Sequence, residues 1–418
     1  MKTATWMISV LGLGLLLLGD RTATAQDWPQ WRGPNRDNKV TGFSDPKVWP
    51  KELTKKWKVP VGQGDSSPVL VDDRLYVFGR EGEEEVVACL DASNGKPVWK
   101  KGYPAQEATK PAGGIHAGPR STPAVADGKI VTLGVRGMLR CLNAKTGDVV
   151  WQKNTKKHPQ FFTSSSPLIV DGKCIVCMGD DKAGMIVAFD LADGSEKWKW
   201  EGGSAPYGSP ILATASGTRQ IIAPVAGVGK GKGTPCTLVG VALADGKLLW
   251  QTDLGTGYGD TIPTPILDGE TILVSAPDAG TMAFRIDKKG DDLGASRLWK
   301  KSDSAHKYNT PVLQGGALYG LTAKGKGSAL FCIDAKSGET LWTDKSVRGQ
   351  CGNVQSADSA LIALTSDMNL VVFRPDTKSF TEVAHYKVCD SQPWAAPIVT
   401  GNRIYVKDQD SLTLWTIE

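Results

Sequence analysis

The strongest constraint on this chain is a tryptophan that returns at 57, 99, 151, 198, 250, 299 and 342, spaced by 42, 52, 47, 52, 49 and 43 residues. Most are preceded by one pattern. Asp91-x3-Gly95-x3-Trp99 is the first case; Asp190, Gly194, Trp198 and Asp334, Gly338, Trp342 repeat it. Asn143, Gly147 and Trp151 differ only by Asn for Asp, Gly246 and Trp250 keep half, and the repeat ending at Trp299 carries an insertion. A period of 40 to 50 residues means that each unit is one supersecondary element, unable to bury its apolar faces alone.

A second pattern runs in phase. A small residue and a proline recur at Ser67-Pro68, Thr122-Pro123, Ser166-Pro167, Ser209-Pro210, Thr264-Pro265, Thr310-Pro311 and Ala396-Pro397. Each Pro opens a short apolar run, then a turn such as Asp127-Gly128 or Asp171-Gly172, then a β-rich run, which is hairpin chemistry. A Pro at a strand's first position costs no ladder hydrogen bond. Each unit therefore reads as four strands, A to D, with D ending at the Trp, and no helical periodicity intervenes. This predicts an all-β, eight-bladed β-propeller of four-stranded antiparallel blades. Six blades end at Trp99, Trp151, Trp198, Trp250, Trp299 and Trp342. A degenerate seventh runs from Gly352 to Val388, and three C-terminal strands begin an eighth. The missing strand is expected around Lys56–Val59, so that the N-terminal strand completes the last blade and leaves no open edge. The recurring Trp residues read as blade-docking core material.

Residues 1–25 read as a signal peptide: Lys2, an apolar stretch from Trp6 to Leu18, and Ala23-Thr24-Ala25 as the cleavage pattern. No Cys stands at the cut, so the expectation is an exported, periplasmic or secreted chain and not a lipoprotein. Residues 26–51 form an N-terminal extended segment and 52–418 the propeller. No later run reaches 18 apolar residues, so no transmembrane segment is expected in the mature chain. The net charge is +5, and subtracting the leader's +1 leaves +4, too little to argue for nucleic acid.

The pattern Ala88-x2-Asp91-x3-Gly95-x3-Trp99 resembles the tryptophan-docking repeat of the PQQ-type β-propellers over about residues 52–418. That superfamily includes the quinoprotein alcohol dehydrogenases and the BamB-type outer-membrane assembly propellers. The stretch Asp27-Trp28-Pro29-Gln30-Trp31-Arg32-Gly33-Pro34-Asn35 is similar to a segment common in exported PQQ-repeat propellers of planctomycete-like bacteria. The resemblance implies the fold and leaves function to the site. The dehydrogenases hold their quinone against two adjacent cysteines and place a calcium and a base Asp in the channel. This chain has no Cys-Cys, and those acidic positions do not map onto it.

Other chemistry-bearing residues read mostly as structure. Cys89, Cys141 and Cys332 share a repeat position with Ala188 and Gly240, a site for a small buried side chain. Cys174 and Cys177 lie three apart on a strand and so point to opposite faces. Cys351 and Cys389 precede A strands of neighbouring blades, where a disulfide is an expectation consistent with export. The glycines at 227–233 precede a strand rather than the helix a phosphate loop requires. The four His form no ligand pattern, and no metal is expected.

Chain direction puts the D–A and B–C loops on one face, and these are the long, varied ones. Three residues before each repeat Pro stand Asp65, Arg120, Ser164, Tyr207, Ile262, Tyr308 and Trp394. Equivalent positions in a ring converge on the channel mouth. Asp65, Arg120, Tyr207, Tyr308 and Trp394 of these, with Tyr258, Asp260, His306 and Arg348 from the same loops, are the expected ligand- or partner-binding residues. The reading is a non-enzymatic, monomeric platform for a protein, peptide or glycan, with no cofactor. The alternative is a periplasmic quinoprotein-like oxidoreductase that binds PQQ with calcium in the channel.

Overall fold

The computed structural model describes residues 26–109, 114–228, 231, 233–257, 262–276, 279–290, 292–302, 308–324 and 327–418. The leader at 1–25 and three expected site residues, Tyr258, Asp260 and His306, lie outside them. Eight sheets, each with four antiparallel strands, form a ring as the repeats predict; in seven of them the four strands are consecutive. Blade one is Val69–Val71, Arg74–Glu81, Glu84–Asp91 and Pro97–Pro104. The degenerate seventh has the full set, Gly352–Ala357, Ala360–Thr365, Asn369–Phe373 and Glu382–Lys387. The eighth is closed by Thr54–Pro60, which pairs antiparallel with Ser411–Thr416 and sets Trp57 opposite Leu414. No helix among the described residues is long and apolar enough to cross a membrane.

The ring is held by apolar seams between blades. Val131, Leu133 and Trp151 of blade two pack with Cys174, Val176 and Phe189 of blade three. Cys177 belongs to the next seam, so the two cysteines do sit on opposite faces of their strand. The repeat motif explains the joint. Gly95, Gly147, Gly194, Gly246 and Gly338 have φ between +71° and +75°, a left-handed turn that only glycine adopts without cost. Each also lies under an indole: a Cβ on Gly95 would stand 2.9 Å from the Trp57 ring, and one on Gly147 2.6 Å from Trp99. The indole N–H then donates to a carbonyl of the same turn: Trp57 to Ser93, Trp99 to Ala144, Trp151 to Leu191 and Trp198 to Leu243, at 2.9 to 3.1 Å. Thus each of these tryptophans binds the turn of the following blade, and Trp57 applies the same device at the ring closure.

The small-residue position is the cross-strand partner of these tryptophans: Cys89 opposes Trp99, Cys141 Trp151, Ala188 Trp198, Gly240 Trp250 and Cys332 Trp342. Where the insertion lengthens the fifth blade's outer hairpin, Trp250 has no such turn and donates instead to Gln220 of its own blade, at 2.5 Å.

The N-terminal segment does more than precede the propeller. Trp28 and Leu70 of blade one exchange backbone hydrogen bonds, Val125 of blade two donates to Pro29, and Trp31 donates to Thr264 of blade five. Arg36 reaches carbonyls of blades three and four, Arg32 those of blade six, and Asn38 that of Val354 in blade seven. Thr400 of blade eight donates to Gln26. A segment that touches, in every blade, the first strand or the Ser/Thr-Pro that leads into it lies on the axis, and those strands are therefore the innermost. Lys39–Val40 then adds to blade seven as a parallel fifth strand. Asp27 and Phe43 contact the A–B turns at Asp72 and Asp358, so the plug enters from the short-turn face.

Candidate functional site

At the opposite face the channel remains open as a cavity of about 160 Å³. The seven residues that stand three before the repeat Pro all line it: Asp65, Arg120, Ser164, Tyr207, Ile262, Tyr308 and Trp394. The floor is Trp31 of the plug, whose Nε1 donates to Thr264 Oγ1 at 3.0 Å.

The residues immediately before each Pro form a second, deeper ring. Backbone N–H groups donate to the hydroxyl of the next blade: Ala396 to Ser67, Ser67 to Thr122, Thr122 to Ser166, Ser166 to Ser209 and Thr264 to Thr310, at 2.8 to 3.2 Å. The recurring Ser or Thr before Pro is thereby explained. Its oxygen satisfies an N–H that the circle of inner strands would otherwise leave buried and unpaired. Ser166, Ser209, Thr264 and Thr310 also line the cavity.

Charge gathers on one side of the mouth. His116 Nδ1 lies 2.8 Å from Asp65 Oδ2, and Arg120 Nε 3.9 Å from the same oxygen. Arg120 donates to the carbonyls of Phe161 and His116 at 3.1 and 2.9 Å; burial lowers its pKa and Asp65 opposes that shift. Behind Asp65, Lys407 is fully buried and donates to the carbonyls of Gly64, Asp408 and Gln409. Burial pulls its pKa down to about 8, against the pull of Asp65 and Asp408. Aromatic rings flank this cluster. Trp394 meets His116 edge-on at 4.8 Å and Tyr308 at 5.8 Å, and Phe161 packs on Tyr207 at 6.1 Å. Trp394 Nε1 is buried and has no hydrogen-bond partner among the described residues.

Of the other expected positions, Arg348 is not part of this mouth. It is buried in an ion pair with Asp344 at 3.0 Å and Glu382 at 2.9 Å, and lies over Phe380 at 5.4 Å. A long loop supplied the cation, but two carboxylates and a ring turn it into the seam of blades six and seven. Cys351 and Cys389 are free, buried thiols rather than a disulfide; Cys351 packs instead beside Ser366, whose Oγ accepts its backbone N–H at 3.1 Å. Trp31, Asn353, Lys407 and the hydroxyl ring were not anticipated. The Ser/Thr-Pro repeat carried the signal for the ring, whereas Trp31 and Lys407 have no repeat counterpart.

The mouth does not fit a quinone with calcium. Among the described residues its lining offers one carboxylate, Asp65, whose Oδ2 is engaged by His116. Its volume lies below the roughly 300–1,000 Å³ of ordinary small-molecule pockets. Among the described residues no three His, Cys, Asp or Glu side chains converge as a metal site.

Comparison with known proteins agrees with this geometry. The model of the family described as outer membrane protein assembly factor BamB matches residues 36–211 and 83–344. BamB of Burkholderia pseudomallei (strain K96243) is 27% identical over 371 residues, 86% of this chain and 86% of that protein. In solved structures, BamB from Moraxella catarrhalis superposes with a TM-score of 0.62 at 16% identity, covering 87% of this chain and 99% of that one. The quinohemoprotein alcohol dehydrogenase from Comamonas testosteroni gives 0.69 at 15% identity, covering 94% and 80%. The two structural likenesses are of fold. The matched family model spans well over half of the sequence, and the chain belongs to the BamB family of PQQ-like β-propellers.

Proposed function

We propose that this chain is an exported, monomeric binding or assembly platform without an enzymatic step or cofactor of its own, engaging a protein or peptide partner at the mouth. One observation carries the reading. Seven equivalent loop positions deliver seven side chains of six kinds to one open cavity, while the channel beneath is filled by the chain's own segment. A recess of this kind presents aromatic and charged anchors outward, as binding hot spots do. The name of the Burkholderia relative, an outer membrane protein assembly factor, supports the same role. The test is partner retention from envelope extracts on immobilised protein. Trp394→Ala with Tyr308→Ala should abolish retention of the species held by the parent, with melting unchanged; full retention by the double variant would remove the mouth from the reading.

The fold likeness to a quinohemoprotein alcohol dehydrogenase favours a second reading, a periplasmic quinoprotein-like oxidoreductase with PQQ and calcium in the channel. Absorption spectra after incubation with both decide between them. Stoichiometric uptake would replace the platform reading, and none is expected.

A further inference from the structure

The rim of the mouth is divided by chemistry. In ring order, blades one, two and three bring Asp65, Arg120 and Ser164, a polar arc. Blades four, five, six and eight bring Tyr207, Ile262, Tyr308 and Trp394, an apolar arc that Asn353 of blade seven interrupts. The two arcs enclose about 160 Å³, and a cavity of about 150 Å³ is enough for a single benzene ring. The polar groups answer both halves of a hydroxyl. Asp65 gives Oδ2 to His116 at 2.8 Å and leaves Oδ1 to accept; Asn353 donates its amide to the Trp394 carbonyl at 3.3 Å and leaves Oδ1 likewise. Below them Ser166, Ser209 and Thr310 each accept one N–H, and a hydroxyl that has accepted once keeps a lone pair and its own O–H. No charge stands unopposed: Arg120 lies 3.9 Å from Asp65, and the buried Lys407 lies behind it.

We infer that the mouth takes one tyrosine side chain of a partner polypeptide, its ring on the apolar arc and its phenol on the polar one. The inference rests on the binding role proposed for the mouth and names the side chain it grips. Tyrosine carries the same division as the rim, an apolar ring with a polar tip that both donates and accepts. The volume admits one ring, not two. A lysine or arginine reaching for Asp65 would meet Arg120 on the same oxygen. An aliphatic chain would strip water from the polar arc and return no hydrogen bond, which is the costly case for a polar group. A hydroxyl that donates to a carboxylate belongs to the stronger class of hydrogen bond. Loss of the phenol oxygen should therefore weaken binding by about tenfold to a hundredfold.

The experiment uses the mature chain with its tryptophans 15N-labelled at the indole. The reporter is Trp31 at the floor of the cavity, its signal assigned by Trp31→Phe. N-acetyltyrosinamide, N-acetylphenylalaninamide, N-acetylleucinamide and methyl glucoside are titrated separately. The expected result is a saturable shift of the Trp31 indole with the tyrosine amide, at an affinity at least about tenfold above the phenylalanine amide. Asp65→Asn, which keeps the shape and removes the charge, should narrow the gap between these two amides. Ile262→Trp, which fills the cavity, should abolish the response with melting unchanged. Equal affinities for the tyrosine and phenylalanine amides, or a leucine amide or glucoside that binds as tightly, overturn the tyrosine assignment while leaving a mouth that binds. No response to any probe also overturns it, and the retention assay then decides separately whether the mouth binds a partner at all.

Discussion

Removing Arg36 is the sharpest perturbation of this fold. The side chain is buried on the axis, 130 and more residues in sequence from the carbonyls it binds. Its NH1 donates to Pro210 O at 2.7 Å and Ser166 O at 3.4 Å, its NH2 to Ser166 O and Pro167 O, and its Nε to Gln30 Oε1 at 3.1 Å. Burial lowers its pKa to about 9, which leaves it cationic at neutral pH. Its backbone is held at φ +56°, a conformation that costs a non-glycine residue about 1–3 kcal/mol. That cost persists only because the guanidinium binds three carbonyls, of Ser166, Pro167 and Pro210, at the entry to the inner strands. Arg36→Met removes the donors and orphans those carbonyls, each worth about 1–3 kcal/mol when buried and unpaired. Relief from burying a charge offsets part of this, so a net loss of about 3 kcal/mol is expected. In a protein of this size that corresponds to roughly 3–8 °C in melting temperature. Thermal unfolding measures it, and hydrogen exchange at the first strands of blades three and four should accelerate before that of blade one. Arg36→Lys, which keeps charge but lacks the fork, should recover less than half of the loss. A melting temperature for Arg36→Met within about 1 °C of the parent would refute the claim that the plug holds the ring.

Three further outcomes follow from the geometry. Gly95→Ala forces a Cβ into the left-handed turn and to 2.9 Å from the Trp57 ring, so it should cost about 2 kcal/mol; Gly82→Ala, also at positive φ but with open space around it, should cost less, and equal losses in chemical denaturation would show that the indole contact contributes nothing. Burial raises the pKa of Cys141 and Cys177 from 9 to about 12, so unfolded thiols ionise from pH 9 while the folded ones stay neutral. The stability is present below pH 9 and lost above it, by about 1.4 kcal/mol per pH unit per thiol; a melting temperature flat from pH 8 to 10 would contradict this. Denatured without reductant, the mature chain should alkylate at all eight cysteines by mass spectrometry, and any pair that stays blocked would restore a disulfide.

The candidate site was legible to the extent that it repeats. Asp65, Arg120, Tyr207, Tyr308 and Trp394 could be placed together because each stands at one offset from a Pro, and a closed ring carries equal offsets to equal radii. Arg348 was misread because a loop cation says nothing about which carboxylates fold against it. Lys407 and the Trp394 indole gain their character from burial, which no local pattern announces.

Blade number, the closing strand and the small residues opposite each tryptophan follow from the sequence alone, because sheets that each hide an apolar face against the next must repeat that face residue for residue. The plug is the opposite case. Arg32, Arg36 and Asn38 bind backbone carbonyls, and every residue of every strand offers one. Only the closed ring decides which carbonyls meet on the axis, and hence that the segment before the propeller becomes the floor of its mouth.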